Sequence, residues 1–477
     1  MNLSEATKLD VKDLQSSDNK PFGFSDKLGY LLGDLGNDFS FMFTSMYLML
    51  FYTKVWGISA STVGVLFLVS RCLDAFTDVG MGTLVDRSKS TKDGKFRPWI
   101  KRMSGILAIT TFLMYQSSLA NASMNVKVVV MFVTYILWGS ICYTAINIPY
   151  GSMASAITNV PKERAALSTW RSMGASFAAL IIGTITPQVI FYADANGNQL
   201  VSPTNFTMIA GVFSILSFIC YMSCYKLTTE RVKFENNNKQ ENVSIMKTFG
   251  LVLKNKALLA MIASSIVLLL SQLISGTMNQ YLFADYFKNV NVMSVSSMLN
   301  LPISLLIASV IVKIAAKFGK KAVCIVGMLI SGMVYFVAFV MRVTNPWVFL
   351  IFNLISFVGT MAFSMLTWAN ITDIIDYNEI LTGKRDDGTI YGFYSFSRKI
   401  GQALAGGLGG FALSFIGYNS LAASQTVEVQ NGIYTLATIF PAIAYMLVAL
   451  IFIFAYPLSK KVVEGNAIKL SEMRANK

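Results

Sequence analysis

The sequence predicts an all-α polytopic membrane protein with twelve transmembrane helices in two six-helix bundles, and three observations lead to this fold class. Hydrophobic residues make up 54% of the 477 residues and charged residues only 13%, about half the roughly 25% charged residues of a soluble domain. Apolar runs of about 20 residues, the length that crosses a bilayer, recur along the chain. One long polar stretch separates these runs into two equal groups. The composition excludes an ordinary soluble enzyme and a disordered chain.

Twelve apolar runs are long enough to cross about 30 Å of hydrocarbon, and each predicts one transmembrane helix. They lie at residues 28–55, 58–85, 103–121, 127–150, 166–192, 204–226, 257–287, 294–316, 322–341, 347–376, 390–417 and 432–457. We expect the first run to be a span and not a cleaved signal peptide, because mostly polar residues precede it and eleven further spans follow.

The polar segments between and around the spans define the domain organisation. The sequence predicts a cytoplasmic tail, an N-terminal bundle, a cytoplasmic linker, a C-terminal bundle and a second cytoplasmic tail, at residues 1–27, 28–226, 227–256, 257–457 and 458–477. A polar linker between two groups of six helices is typical of a transporter whose two bundles rock against each other.

Positive charge is distributed unevenly between the two sides of the predicted membrane. The chain has 39 lysine and arginine residues against 25 acidic residues, and 31 of the 39 lie in the tails, in alternate loops or at the adjoining ends of the spans. The opposite loops and the span ends beside them hold only Lys54, Lys127, Lys288 and Arg342. The positive-inside rule therefore predicts a multi-pass protein of the cell membrane with both termini in the cytoplasm. Because the charge is spread over separate loops, it does not indicate nucleic-acid binding.

The rarer residue types exclude several chemistries. The chain has no histidine, which excludes an imidazole metal site, a Ser-His-Asp triad and a histidine proton relay. No Walker A sequence is present, so ATP-driven transport by this chain is unsupported. The five cysteines lie in predicted spans without zinc or disulfide spacing, and we expect them to pack as small apolar residues. They are Cys72, Cys142, Cys220, Cys224 and Cys324.

The second predicted span carries three charges on one helical face. Arg71, Asp74 and Asp78 are spaced by three and four residues, which places their side chains along one stripe of a helix. One arginine cannot neutralise two aspartates, so the surplus carboxylate is protonated, paired with another helix or bound to a cation. Thr77 and Thr144 can add neutral oxygen ligands, which hard cations prefer. The pattern predicts a cation site; a fixed ion-pair cluster that orients helices is the alternative.

Polar residues in later spans predict a site for a hydroxyl-rich ligand. Tyr143 and Asn147 are four residues apart and share a helical face, which offers an aromatic surface and amide donors. Arg171 in span five and Lys399 in span eleven add cationic donors that can face the same cavity. Arg398, next to Lys399, points elsewhere on its helix, and we expect a structural role for it.

Glycines are concentrated in span eleven, at Gly401, Gly406, Gly407, Gly409 and Gly410. Small residues let helix backbones approach closely, so these positions predict tight helix packing. A moving seam between helices is the alternative interpretation.

Five motifs occur in one order along the chain. They are DLGNDF at 34–39, RCLDAFTD at 71–78, GKFRPW at 94–99, NIPYG at 147–151, and a stretch over 373–391 with Asp373, Tyr377, Thr382, Arg385, Gly388 and Tyr391. Together they resemble the glycoside-pentoside-hexuronide:cation symporters of the major facilitator superfamily, over all twelve spans. The resemblance is closest to xyloside (isoprimeverose-type) carriers, and glucuronide carriers are also similar.

The resemblance implies roles for the cation-site residues. Asp74 and Asp78 match the paired helix-two carboxylates of the family's cation site, and Thr144 matches a helix-four hydroxyl beside them. Thr77 stands where the melibiose carrier has an asparagine, which favours protons over sodium as the coupling ion. With no histidine in the chain, proton coupling has to run through carboxylates.

The resemblance also implies sugar-site roles. Asp38 matches a helix-one carboxylate that binds sugar hydroxyls. Arg171 matches a helix-five arginine near the sugar, and Lys399 matches a helix-eleven lysine that links the sugar site to the cation site. Asn147 and Gly151 stand where the melibiose carrier has a sugar-binding aspartate and a tryptophan, which argues against a galactoside.

Two further residues complete the predicted network of charges. Asp34 lies one turn before the sugar-site carboxylate in span one, and Arg71 lies one turn before the cation-site carboxylates in span two. We assign both, with Lys399, to a charge network that couples the two sites.

These observations predict a secondary active symporter for a xyloside- or pentoside-type glycoside and a proton or sodium ion, working by alternating access. A glucuronide (hexuronide) symporter and an uncoupled facilitator or exchanger are the alternatives within transport. A membrane enzyme would need a nucleophile–base pair, and a sensor would need a sizeable output domain; the sequence offers neither. We therefore expect no enzymatic activity, no cofactor besides the coupling ion, and no nucleic-acid or obligate protein partner.

Overall fold

The computed structural model describes residues 21–88, 90–232, 255–383, 387–422 and 424–475. The backbone of these residues is almost entirely helical. The long helices are α1 (Phe24–Lys54), α2 (Ala60–Arg87), α3 (Arg97–Leu113), α4 (Met124–Ile157), α5 (Pro161–Ile190), α6 (Pro203–Leu227), α7 (Lys256–Tyr286), α8 (Asn291–Phe318), α9 (Lys320–Met341), α10 (Pro346–Thr382), α11 (Asp387–Phe415), α12 (Val427–Phe454) and α13 (Lys460–Ala475).

The first twelve helices coincide in order with the twelve predicted spans. Within the described part of the chain, ten helices are long and apolar enough to cross a membrane. The other two are α1 and α11. Asn37 and Asp38 lower the mean hydropathy of α1, and α11 is apolar only over Ile400–Phe415. The fold class is confirmed, and the helix count is consistent with twelve spans.

Helix ends follow the capping preferences of short polar residues. Asn255 begins α7 and accepts a hydrogen bond from the Leu258 amide at 3.0 Å. Asn345 caps α10 in the same way, just before a proline that suits the first helical position. Gly383 ends α10 with φ 71°, a left-handed conformation that glycine adopts without a steric cost.

Helix α4 is not regular throughout. Its segment Leu137–Tyr143 is π-helical, and Pro149 lies inside the following α-helical turns. A π-helical turn holds one residue more than an α-helical turn and is common at functional sites. The irregularity lies in the part of α4 that carries the predicted site residues.

A short β-hairpin connects α5 to α6. Strands β1 (Phe191–Ala193) and β2 (Gln199–Val201) are antiparallel, with Phe191 opposite Val201. The Asp194 side chain accepts hydrogen bonds from the turn, and its bond from the Asn198 side chain lowers the pKa of Asp194 below the usual aspartate value. These bonds explain why a polar segment forms an ordered turn between two apolar helices.

The chain divides into two compact units. Unit 1 comprises residues 1–48, 72–182 and 203–239, and unit 2 comprises residues 49–71, 183–202 and 240–477. Helices α1, α2 and α5 contribute to both units. The predicted tail, bundle and linker boundaries stay predictions, and most of the linker, residues 233–254, lies outside the described residues.

Unit 1 joins α1, α3 and α4 through one buried hydroxyl. The Ser40 hydroxyl lies 2.8 Å from that of Thr111 and accepts a hydrogen bond of 2.8 Å from the Trp138 indole. Buried polar groups need such partners. The contacts fix the register of the helices that carry the predicted sugar- and cation-site residues.

Unit 2 packs α2 against α11 through glycines. A Cβ atom at Gly64 would lie 2.8 Å from the carbonyl oxygen of Gly407, and a Cβ atom at Gly410 would contact the Ala60 carbonyl. Only glycine allows this approach. The predicted close packing of span eleven is confirmed at Gly407 and Gly410.

Candidate cation and sugar sites

The carboxylates of α2 face hydroxyls of α4 in matching register. The Ser140 hydroxyl donates to the Asp74 carboxylate at 2.6 Å, and the Thr144 hydroxyl donates to the Asp78 carboxylate at 3.0 Å. Both pairs are spaced by four residues, so each occupies one face of its helix. The structure thus brings together three predicted cation-site residues: Asp74, Asp78 and Thr144.

The fourth predicted member of that site has a different contact. The Thr77 hydroxyl donates to the backbone carbonyl of Asp74 at 3.3 Å, a common arrangement for threonine inside a helix. Ser140 supplies the side-chain contact to Asp74 instead. The sequence analysis missed Ser140, although its position one turn before Thr144 was a usable signal.

The donor set of this cluster consists of oxygen atoms. Among the described residues, no three His, Cys, Asp or Glu side chains lie close enough together to hold a metal ion. Two carboxylates and two hydroxyls suit a proton or a hard monovalent cation and offer no soft ligand to a transition metal.

Asp34 and Arg171 form an ion pair whose carboxylate is buried. The Arg171 Nε atom lies 2.8 Å from Asp34 Oδ1; the carboxylate side chain is 7% exposed and the arginine side chain 38%. The guanidinium also lies 5.2 Å from the centroid of the Tyr150 ring. Tyr150 in turn stacks on Tyr30 at 4.8 Å and donates its hydroxyl to the Tyr30 carbonyl at 2.6 Å. Aromatic packing therefore orients Arg171 while part of its side chain stays accessible.

Asp38 lies one turn after Asp34 on α1 and is 7% exposed. Its carboxylate accepts a hydrogen bond from the neighbouring Asn37 amide at 3.1 Å, and the Asn37 oxygen accepts one from the Tyr221 hydroxyl at 3.3 Å. These donors are neutral. Asp34, Asp38 and Arg171 thus place two carboxylates and one guanidinium around neighbouring turns of α1.

An aromatic cluster adjoins these turns. The Tyr143 ring stacks on Phe41 of α1 at 5.0 Å and on Trp138 at 5.6 Å. Asn147 follows one turn later on α4, and both Tyr143 and Asn147 are half-buried. The predicted aromatic surface and amide therefore lie on one face of a helix that packs against α1.

Arg71 and Lys399, two members of the predicted charge network, lie on α2 and α11. Arg71 is half-buried on α2, one turn before Asp74. Lys399 lies on α11, but its side chain is outside the described residues. Arg398, expected to be structural, lines a cavity of unit 2 together with Tyr394.

Residues 29–460 match the sequence profile of the family described as MFS/sugar transport protein. The chain belongs to this family. The glucuronide carrier protein homolog of Escherichia coli (strain K12) is 31% identical over 444 residues, which cover 93% of this chain and 94% of that protein. A Bacillus subtilis (strain 168) protein named uncharacterized symporter YjmB is 34% identical over 457 residues, or 95% and 96% of the two chains.

Solved structures show the same fold. The crystal structure of a D-xylose-proton symporter matches with a TM-score of 0.65 at 15% identity, covering 92% of this chain and 98% of that one. The nucleoside transporter NupG matches with a TM-score of 0.59 at 14% identity, over 91% and 100%. The protein is thus an integral membrane transporter of the major facilitator fold, from a family of sugar transporters and not of enzymes.

Proposed function

We propose that the protein is a secondary active transporter that carries a xyloside- or pentoside-type glycoside into the cell together with a monovalent cation. The ion is a proton rather than sodium, and transport occurs by alternating access across the cell membrane with both chain termini in the cytoplasm. The observation that carries the proposal is the matched register of Asp74 and Asp78 with Ser140 and Thr144.

The carboxylate–hydroxyl register supports ion coupling. The Ser140 and Thr144 hydroxyls donate neutral hydrogen bonds to the carboxylates, and charge within a membrane interior is costly. Binding a proton at Asp74 or Asp78 lowers the negative charge of this cluster. Thr77 stands where the similar melibiose carrier has an asparagine, and we take this difference to favour the proton.

The group around Asp38 supports recognition of a neutral sugar. Carboxylates and amides bind vicinal hydroxyls, and an aromatic face covers the apolar side of a sugar ring. Arg171 is already balanced by Asp34, so Asp38 gives this group a net negative charge when ionised. That charge disfavours an anionic sugar. Tyr143 and Asn147 supply the aromatic and amide components.

A hexuronide is the second candidate substrate. The similarity to the glucuronide carrier homolog of Escherichia coli favours it. In that case the sugar carboxylate replaces Asp34 as the partner of Arg171, whose side chain is 38% exposed. An uncoupled facilitator or exchanger is the third candidate.

Coupling follows if both ligands favour the same closed state. A ligand shifts a conformational equilibrium only by its difference in affinity for the two states. When sugar and proton both bind the closed form more tightly, each raises the affinity for the other by the same factor. Downhill proton entry then drives sugar accumulation.

Counterflow in proteoliposomes tests the proposed substrate and ion. Vesicles containing the purified protein and unlabelled sugar are diluted into labelled methyl xyloside, methyl galactoside or methyl glucuronide, at several pH values with and without sodium. We expect counterflow of the xyloside, accumulation under an inward proton gradient, and no requirement for sodium. Preferred counterflow of the glucuronide would replace the xyloside assignment, and strict sodium dependence would overturn the proton assignment.

A further inference from the structure

A cavity of about 510 Å³ lies at the beginning of α3, beside the loop that connects α2 to α3. The loop belongs to unit 1 and to a segment that the positive-inside rule predicts to be cytoplasmic. Four of the six lining residues are charged, and none belongs to the cation or sugar groups described above. The lining residues are Thr91, Lys92, Asp93, Pro98, Lys101 and Arg102.

Three cations of this cavity are not neutralised by a carboxylate. Among the residues that the structure describes, no acidic side chain forms an ion pair with Lys92, Lys101 or Arg102. The Asp93 carboxylate instead accepts a hydrogen bond from the Tyr225 hydroxyl at 2.9 Å. The Lys101 ammonium lies 3.3 Å from that hydroxyl and 5.0 Å from the centroid of its ring. The cavity therefore carries three positive charges against one negative charge.

Hydrogen bonds to the end of α6 and to Glu230 fix the backbone around the cavity. The Glu230 carboxylate accepts bonds of 2.7–2.9 Å from three successive backbone amides, those of Lys95, Phe96 and Arg97. The Arg97 guanidinium donates to the Tyr225 carbonyl at 2.6 Å. Because Glu230 already occupies the amides at the start of α3, the positive charge available to a ligand comes from the lysine and arginine side chains.

An exposed apolar stripe continues from the cavity along α3. Arg102 is followed by Ile106, Ile109 and Leu113, at spacings of four, three and four residues, which places all four side chains on one helical face. The three apolar side chains are 46%, 61% and 42% exposed. Arg102 directly precedes the third predicted span, residues 103–121, so the cations lie at the level of lipid headgroups and the stripe lies beside the hydrocarbon.

We propose that this cavity binds the headgroup phosphate of an anionic phospholipid through Lys92, Lys101 and Arg102, with an acyl chain along the apolar stripe of α3. Lysine and arginine clusters beside membrane helices attract anionic headgroups. A zwitterionic headgroup brings an ammonium group into an excess of positive charge, which disfavours it. A soluble phosphate compound would use the cations and leave the stripe without a ligand. The inference is independent of the solute that the protein transports.

Lipid binding to the purified full-length protein tests the proposal. Native mass spectrometry of the detergent-solubilised protein counts bound molecules during titration with dioctanoyl phosphatidylglycerol or dioctanoyl phosphatidylcholine, which share their chains and differ in headgroup charge. We expect the wild type to bind phosphatidylglycerol about tenfold more tightly than phosphatidylcholine. The variant Lys92→Gln/Lys101→Gln/Arg102→Gln should raise the dissociation constant of phosphatidylglycerol roughly tenfold and leave that of phosphatidylcholine within about twofold.

The matched control removes the same charge at other positions. Lys313→Gln/Lys461→Gln/Lys469→Gln neutralises three exposed lysines of α8 and α13, which also form no ion pair with the acidic residues that the structure describes. This variant should keep its phosphatidylglycerol affinity within about twofold of the wild type. Equal losses in the two triple variants would overturn the site, because they would show a general attraction of the lipid to the net positive charge of the protein.

Soluble competitors separate a lipid from a free phosphate compound. Glycerophosphoglycerol has the headgroup without the chains, and inorganic phosphate has the anion alone. We expect neither to displace bound phosphatidylglycerol at the same concentration. Displacement by either would replace the lipid with a soluble phosphate compound, and equal binding of the two dioctanoyl lipids would overturn recognition of an anionic headgroup. If the triple variant does not reach the membrane, Arg102→Gln should raise the dissociation constant about threefold, and an unchanged affinity would overturn the site.

Discussion

Two groups of carboxylates, one in each unit, make different contacts. In unit 2, Asp285 accepts from Lys54 at 2.7 Å and Asp373 lies 2.7 Å from Lys320, so each has a full positive charge beside it. In unit 1, the carboxylates at α2 accept hydrogen bonds from the hydroxyls of α4. A lysine ammonium brings a full positive charge to an aspartate, whereas a serine or threonine hydroxyl brings a neutral hydrogen bond. The lysine contacts are those of fixed ion pairs, and the oxygen-rich α2–α4 cluster is the candidate cation site.

The Lys54–Asp285 ion pair of unit 2 is almost completely buried. The two side chains are 8% and 3% exposed. The Tyr418 hydroxyl donates to the other Asp285 oxygen at 3.1 Å, and its ring lies 5.3 Å from the Lys54 ammonium. Burial and the nearby Asp285 raise the pKa of Tyr418 well above the usual tyrosine range, so its hydroxyl stays protonated and remains a donor.

Removing one carboxylate from the α2–α4 cluster should have the largest effect. We expect Asp78→Asn to abolish uphill uptake of labelled xyloside under a proton gradient, because a neutral amide does not bind the proton that the carboxylate takes up. Counterflow, which needs no net ion movement, should persist. Uptake into energised vesicles measures the first property and exchange the second. Glu464→Gln, which alters an exposed acid of α13, is the control. Undiminished accumulation in Asp78→Asn would remove this residue from the coupling site.

Breaking the fixed pair of unit 2 should primarily cost stability. Lys54→Met leaves Asp285 buried without its cation, and such a loss destabilises by about 3–5 kcal/mol. We expect a lowered unfolding temperature in detergent, measured by differential scanning fluorimetry. The double variant Lys54→Met/Asp285→Leu should recover most of the loss, because it removes the uncompensated charge. Equal stability of the single variant and the wild type would show that the pair is not a fixed structural element.

Hydropathy and charge spacing predicted the fold because each transmembrane helix is a local property of about 20 residues. The same spacing placed Asp74 and Asp78 on one face. Pairings between distant segments could not be predicted: Asp34 and Arg171 are 137 residues apart in sequence. Lys54 was counted as a charge of an outer loop, yet it is buried against Asp285. Its partner is set by tertiary packing, which a single sequence does not record.

Arginine and lysine should not be equivalent at the half-exposed pair of unit 1. Arg171 uses its Nε for Asp34 and its plane against Tyr150, a double contact that depends on the planar guanidinium fork. Arg171→Lys keeps the charge but loses this fork. We expect the half-saturating concentration of xyloside in counterflow to rise about tenfold, which corresponds to ~1.4 kcal/mol of binding free energy. The unfolding temperature should change little. Arg342→Lys, at an exposed arginine, should change neither. Unaltered sugar affinity in Arg171→Lys would place Arg171 outside the sugar site.

The variant with the smallest expected effect, Ser140→Ala, also distinguishes a proton from sodium as the coupling ion. Ser140→Ala removes the hydroxyl that donates to the Asp74 carboxylate at 2.6 Å. If the ion is a proton, loss of this bond disfavours the ionised form, so half-maximal uptake should move to higher pH, by roughly one unit. If the ion is sodium, the same change removes an oxygen ligand, so activation should require more sodium and the pH profile should stay in place. Initial uptake rates over a matrix of pH and sodium concentration measure both. A shift toward lower pH would contradict the proposed role of the Ser140 hydroxyl, because it means that the lost bond had favoured the protonated carboxyl.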